Sequence, residues 1–223
     1  MSFGAPFPAG CREVLLTYLD HAEITASATT YNFTGLNFGT LNPDQYIVVC
    51  LTWFAGVLST FISCTIGGIS ATAAVSVGVN ISGVVRSSAI FVVKVPSGSP
   101  GTVSFTLANV GNAAAVAVYS VSGIPSAVPA STATSTANNP TGSLNIARNG
   151  AVIAVAAAGA GSSPSATWSG LTEDTDNNYG SGNLQCRSSA SAQFSTAQTG
   201  LSTTCTFSTT TGSAGCFAVF EPA

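Results

Sequence analysis

Few residues in this chain could move a proton or hold a metal. His21 is the one histidine among 223 residues, so any Ser-His-Asp arrangement would have to use it. No Gly-x-Ser-x-Gly elbow presents a nucleophilic serine, and the adjacency of Asp20 to His21 proves little, because neighbouring strand residues point to opposite faces. A single imidazole excludes multi-histidine metal sites, and neither a P-loop nor a dinucleotide fingerprint occurs. The densest polar run is Glu173-Asp-Thr-Asp-Asn-Asn-Tyr-Gly180. Its carboxylates Glu173, Asp174 and Asp176 are hard oxygen ligands of the kind Ca²⁺ takes. The run lacks the glycine position and closing glutamate of an EF-hand loop. Carboxylates this close in one loop also do not flank a sugar ring from opposite sides, as a glycosidase pair must. It reads as a solvated acidic loop, with Ca²⁺ the one cofactor it could hold. No enzymatic activity is expected.

Arginine is scarce enough for its placement to matter. Arg86-Ser-Ser-Ala89 recurs as Arg187-Ser-Ser-Ala190, 101 residues further on. The expected role of both is structural, a strand-edge arginine hydrogen-bonded to a nearby carbonyl. The six cysteines have no CxxC spacing, which disfavours zinc or redox chemistry; they read as small buried thiols.

Composition narrows the class further. Charged residues make up 6% of the chain, against roughly 25% in ordinary soluble domains. Hydrophobic residues at 46% with a net charge of -3 argue against disorder. Five Lys and Arg cannot build the basic stripe that tracks a phosphate backbone, so no nucleic-acid partner is expected. No charge lies between Asp44 and Arg86, and the stretch 46–66 is apolar enough to suggest a membrane helix. Its β-branched and aromatic content, with the breaks at Ala55-Gly56 and Gly67-Gly68, predicts strands instead, and no membrane span. Residues 1–8 show no basic start followed by an apolar helix, so a secretory leader is not expected.

The elements that must carry these residues read as strands throughout. Tyr46-Ile-Val-Val-Cys-Leu-Thr-Trp53 and Ala151-Val-Ile-Ala-Val-Ala-Ala157 are continuous apolar runs, as expected where both faces are covered. Thr102-Val-Ser-Phe-Thr-Leu107 alternates, the mark of a half-buried strand. Turn clusters such as Asn42-Pro-Asp44, Asn138-Asn-Pro-Thr-Gly142 and Asn149-Gly150 separate them. The expected class is all-β, an antiparallel β-sandwich or jelly roll.

Self-comparison predicts that it is built from two internal pseudo-repeats of about 100 residues. Besides the arginine motif, Gly111-Asn-Ala-Ala-Ala-Val-Ala-Val-Tyr119 aligns with Gly212-Ser-Ala-Gly-Cys-Phe-Ala-Val-Phe220, again 101 apart. Thr65-Ile-Gly-Gly-Ile-Ser70 matches Thr167-Trp-Ser-Gly-Leu-Thr172. The expected organisation is an N-terminal arm or docking segment over 1–23, a first repeat over 24–124 and a second over 125–223, the two packed into one unit. Residues 14–19 fit an edge strand or a short helix. Phe3 and Phe7 are the apolar anchors of the arm and its candidate partner-docking residues. The cysteines do not fall at matching positions in the two repeats, so a disulfide framework older than the duplication is not expected.

Several stretches carry a family likeness over most of residues 24–220. They are Thr34-Gly-Leu-Asn-Phe-Gly-Thr40 followed by Tyr46-Ile-Val-Val49, Thr65-Ile-Gly-Gly-Ile-Ser-Ala-Thr72, Ala151-Val-Ile-Ala-Val-Ala156 and Thr167-Trp-Ser-Gly-Leu-Thr-Glu-Asp174. In these the chain resembles the Ala/Ser/Thr/Gly-rich β-sandwich virion proteins of tailed bacteriophages. The resemblance implies a structural component of the particle, as head decoration, head fibre or tail-tip module, assembled in the bacterial host cytoplasm. It brings no catalytic residues. The implied partners are other virion proteins and copies of the chain itself, with a trimer favoured; a surface of few charges and small side chains suits self-packing. The alternative is a carbohydrate- or receptor-binding sandwich, calcium-stabilised, that meets a host-surface glycan through Trp53, Trp168 and Tyr179 near the acidic run.

Overall fold

A computed structural model describes residues 12–40, 43–57, 59–81, 83–94, 101–159, 164–179 and 185–223. The protein is all-β, and every strand pairing among the described residues is antiparallel. The strands are β1 (Leu15–Ile24), β2 (Ala28–Leu36), β3 (Gln45–Ala55), β4 (Phe61–Ile66), β5 (Ile69–Ser70), β6 (Thr72–Ile81), β7 (Val84–Val93) and β8 (Gly101–Ser122). After the connection through 124–130 follow β9 (Ser131–Ser135), β10 (Thr141–Ile146), β11 (Gly150–Gly159), β12 (Ala166–Ser169), β13 (Thr172–Tyr179), β14 (Gln185–Phe194), β15 (Gln198–Phe207) and β16 (Gly212–Phe220).

The long β8 serves two layers. Residues 101–107 pair with β2 and β4, and β4 with β5; residues 111–122 pair with β1 and β3. One layer of the first half therefore runs β2-β8-β4-β5 and the other β1-β8-β3-β7-β6. In the second half the layers run β10-β15-β12 and β9-β16-β11-β14-β13.

Three cores separate these four layers. Tyr31, Phe33, Phe105 and Ile66 from the smaller layer meet Ile47, Val49, Leu51 and Phe91 from the larger one. Leu144, Trp168, Cys205 and Phe207 meet Val152, Ala154 and Phe217 in the same way in the second half. Between them the two five-stranded layers pack on each other through Val48, Ile90, Val121, Ile153, Val155 and Phe220. Strands β3 and β11 sit in the middle of this stack and are buried along their whole length. Their unbroken apolar runs follow from that position, while 101–107 of β8, covered on one face, alternates. A smaller contact between the halves uses small side chains, Ala113, Ala115 and Ala157 around Phe54.

The two five-stranded layers cross so that β6 lies against β9 and β16, β7 and β3 against β11, and β1 against β13 and β14. The central stack thus has two edges, β1 with β13 and β6 with β9. Asn149 holds a left-handed backbone (φ 63°), a conformation asparagine tolerates, at the entry to β11. Its carbonyl accepts the Val14 N–H at 3.0 Å, fastening the start of β1 to the second half.

Some expectations hold here and others change. The stretch 14–19 is an edge strand, and β1 pairs with β8 from Leu15 to Ile24, so the boundary expected after residue 23 falls at the end of a strand already in the sheet. The acidic run is strand β13, not a loop. The stretch 46–66 forms β3 and β4, and no helix among the described residues is long and apolar enough to cross a membrane. Phe3, Phe7 and Cys11 lie outside the described residues, and nothing is described of the Tyr179 side chain.

Candidate functional site

The chemistry-bearing residues gather at the β1–β13 edge, and two β-bulges bring them there. In β1 the register slips between Tyr18 and Asp20, leaving Leu19 as the extra residue. In β13 it slips between Glu173 and Thr175, leaving Asp174 extra. A bulge re-aims the side chains that follow it. Tyr18 and His21, three apart and otherwise on opposite faces, now point together, with Tyr18 Oη 2.8 Å from His21 Nδ1. The Asn177 amide, assigned from its hydrogen-bonding surroundings, accepts from His21 Nε2 at 3.3 Å and from Arg187 Nη2 at 3.0 Å. This network fixes the imidazole proton on Nε2 and lets the Tyr18 hydroxyl donate to Nδ1. Asp20 does not orient the ring. Its carboxylate accepts the backbone N–H of His21 at 2.7 Å and of Asn37 at 2.8 Å.

Behind this layer the groups are buried. Arg187 of β14 crosses into the first half, where Nη1 donates to the Val116 carbonyl at 2.6 Å. Tyr119 Oη lies 3.0 Å from Asp174 Oδ2 and 2.8 Å from Ser189 Oγ. Burial pushes the Tyr119 hydroxyl well above its ordinary pKa, and the Tyr18 hydroxyl above its own. Burial also raises Asp174, against the lowering effect of hydrogen bonds from Ser191 and Tyr119. Glu173 is raised by burial first, then by the charges of Asp176 and Asp174.

The three candidate calcium ligands are not brought together. Asp174 faces the first half through Tyr119. Asp176 faces the outer layer of the second half, accepting from Ala166 N at 2.9 Å and from the Cys186 thiol at 2.9 Å. Glu173 is exposed. Among the described residues no group of three His, Cys, Asp or Glu is placed to hold a metal ion. The bulge that delivers Asp174 to Tyr119 also separates it from its neighbours.

Arg86, the counterpart of Arg187 in the sequence match, is likewise buried and also crosses between halves. Its Nη2 donates to Thr211 Oγ1 at 2.8 Å and its Nη1 to the Val84 carbonyl at 3.2 Å. Thr211 Oγ1 in turn donates to the Gly159 carbonyl at 2.9 Å. A Cβ at Gly159 would collide with the Arg86 guanidinium. Desolvation lowers the Arg86 pKa. Ser88 and Ser189, each two residues beyond its arginine, also bridge the halves, Ser88 Oγ donating to the Ala214 carbonyl at 2.8 Å. Both arginines bind a carbonyl as expected, but neither is at a strand edge: β7 lies between β3 and β6, β14 lies between β11 and β13, and both arginines act between halves.

Of the aromatics named for the alternative sugar-binding reading, the two tryptophans are core. Trp53 and Trp168 are buried, and their indole N–H groups donate to Ser59 O and Ser188 Oγ at 3.1 and 2.7 Å. The five described cysteines, Cys50, Cys64, Cys186, Cys205 and Cys216, are buried free thiols. Burial pushes the Cys64 thiol up to about 12 and raises the other four. None is a nucleophile at neutral pH.

The tyrosine-histidine-asparagine-arginine network was not read from the sequence. It depends on two bulges that leave no compositional mark, although the scarcity of charge and the repeated arginine were usable signals. Comparison with protein-family models, with curated proteins and with solved structures finds no match.

Proposed function

We propose that this chain is a non-enzymatic structural protein of a bacteriophage particle, a head decoration, head fibre or tail-tip component that acts through protein–protein contacts. The observation that carries the reading is how its chemistry is spent. The single histidine, both inter-half arginines and two acidic-run carboxylates, Asp174 and Asp176, are engaged in holding layers together. Outside, small polar side chains line whole strand faces, as on β10, where Thr141, Ser143 and Asn145 are exposed, beside scattered apolar residues such as Leu15 and Ile62. Such faces lack the charge that keeps monomers apart. We favour a homotrimer in the virion, assembled in the host cytoplasm, with other virion proteins as further partners.

We also propose that the chain is two copies of one jelly roll. Replacing β1, β2, β3, β4, β6 and β7 by β9, β10, β11, β12, β13 and β14, and the two parts of β8 by β15 and β16, converts one set of layer orders into the other, with the two-residue β5 left without a counterpart. The copies pack face to face, β3 on β11, and more closely where β6 and β7 meet β16 than where β1 meets β13 and β14.

Sedimentation equilibrium at micromolar to hundred-micromolar concentration tests the assembly reading. The expected mass is three times 22.1 kDa. A monomer at every concentration, together with absence of the protein from purified particles by mass spectrometry, overturns it.

A further inference from the structure

A groove of about 630 Å³ opens at the β6–β9 edge, walled by Ala74 of β6, Val93 of β7, and Val128 and Pro129 of the connection between the halves. Its volume lies within the range of about 300–1,000 Å³ typical of sites that hold small ligands. Its lining is mainly apolar, and Val128 on its wall is 76% exposed. Lys94, at one end, also lines an adjoining polar cleft, together with Asp44 and Arg12. Arg12 is where the described chain begins, and the cleft it lines shares Lys94 with the groove.

The chemistry of the segment before Arg12 fits the groove. Residues 1–11 carry no charged side chain, and Phe3 and Phe7 are spaced among Pro6 and Pro8. Proline favours an extended backbone and withholds an N–H from any ladder, which suits insertion by side chains over addition of a strand. At roughly 3.3–3.6 Å per extended residue, Phe7, five residues before Arg12, can lie up to about 17 Å from it. We propose that Phe7, flanked by its two prolines, seats in this groove of its own chain and covers Val128. The inference is independent of the virion reading and concerns the folded monomer.

The test replaces Phe7 by the photocrosslinker p-benzoylphenylalanine in the full chain, irradiated dilute as a mixture of ¹⁵N-labelled and unlabelled protein. The expected products are same-label crosslinks to residues 72–74 or 127–132. Mixed-label crosslinks would place the segment on a second copy and overturn the proposal, as would crosslinks only elsewhere or none. Val128→Asp, at a position outside the buried clusters, should cut the groove crosslink about tenfold. An undiminished yield would overturn the proposal as well. Sedimentation of the same samples reports the oligomeric state separately, so the assembly reading stands or falls on its own measurement.

Discussion

The two edges of the central stack are built from the same kinds of pairing and finished differently. At one, the ten-residue β1 runs beside β13 and fills the edge with Tyr18, His21, Asn177 and the buried Arg187. At the other, the five-residue β9 carries only Ser, Thr and Ala, and the space beside β6 stays open as a groove. Side-chain reach separates the two: Tyr18, His21 and Asn177 are long enough to meet across one edge, and β9 carries no side chain of that size at the other. The same asymmetry divides the two arginines. Arg187 serves a backbone carbonyl of the other half and an amide, whereas Arg86 serves a carbonyl of its own strand and a hydroxyl already engaged with Gly159.

The sharpest way to break this comparison is to remove each arginine in turn. Arg187→Met removes the donor to the Val116 carbonyl and frees the Asn177–His21 pair. The loss should be about 3 kcal/mol, since hydrogen bonds from charged groups contribute roughly 1.5–3 kcal/mol each and two are lost. For a chain of this size that is a fall of roughly 6–12 °C in melting temperature. Arg86→Met should cost only about 1–2 kcal/mol, because Thr211 keeps its Gly159 partner. Equal losses in urea denaturation would show that the two edges do not differ in the way described.

Gly159→Ala comes next. The added methyl meets the Arg86 guanidinium, and overpacking of this kind costs about 1–3 kcal/mol. In an Arg86→Met background most of that cost should vanish, and a double-mutant cycle measures the coupling. Additive losses would mean that the glycine serves some other contact. Tyr119→Phe, which deletes the hydroxyl between Asp174 and Ser189, should lose about 1 kcal/mol by the same denaturation assay.

The layers were legible where burial writes itself into residue order. Tyr46 to Trp53 and Ala151 to Ala157 are apolar without a break because layers lie on both sides of β3 and β11, and 101–107 alternates because one side is open. The two arginines were legible as a pair because charge is rare. The acidic run was not legible as a strand. Three carboxylates and two asparagines have low strand propensity, and only pairing with β14 and the buried partners of Asp174 and Asp176 overrides it. Nor could residue order show that Tyr18 and His21 share a face, since the period-two rule places them apart until Leu19 bulges out.

The finest test of the closed edge is its response to pH. Burial raises Asp174 above its unfolded value of roughly 3.9, so between that value and its folded pKa the native state binds the proton more tightly than the unfolded one. Its contribution to stability is then fully present below the unfolded pKa and is lost as pH rises through the folded one. Asp174→Asn keeps an oxygen for the Tyr119 hydroxyl and removes the charge. The variant should be modestly more stable than the parent at pH 7, and the two should converge as pH falls toward 3.5, in melting temperatures taken across that range. Glu173, raised in the same direction, remains in the variant and leaves a weaker slope of the same sign. A variant less stable than the parent at pH 7 would mean that the edge needs the carboxylate charge itself. The bulge at Asp174 would then serve electrostatics toward Arg187 more than the hydrogen bond to Tyr119.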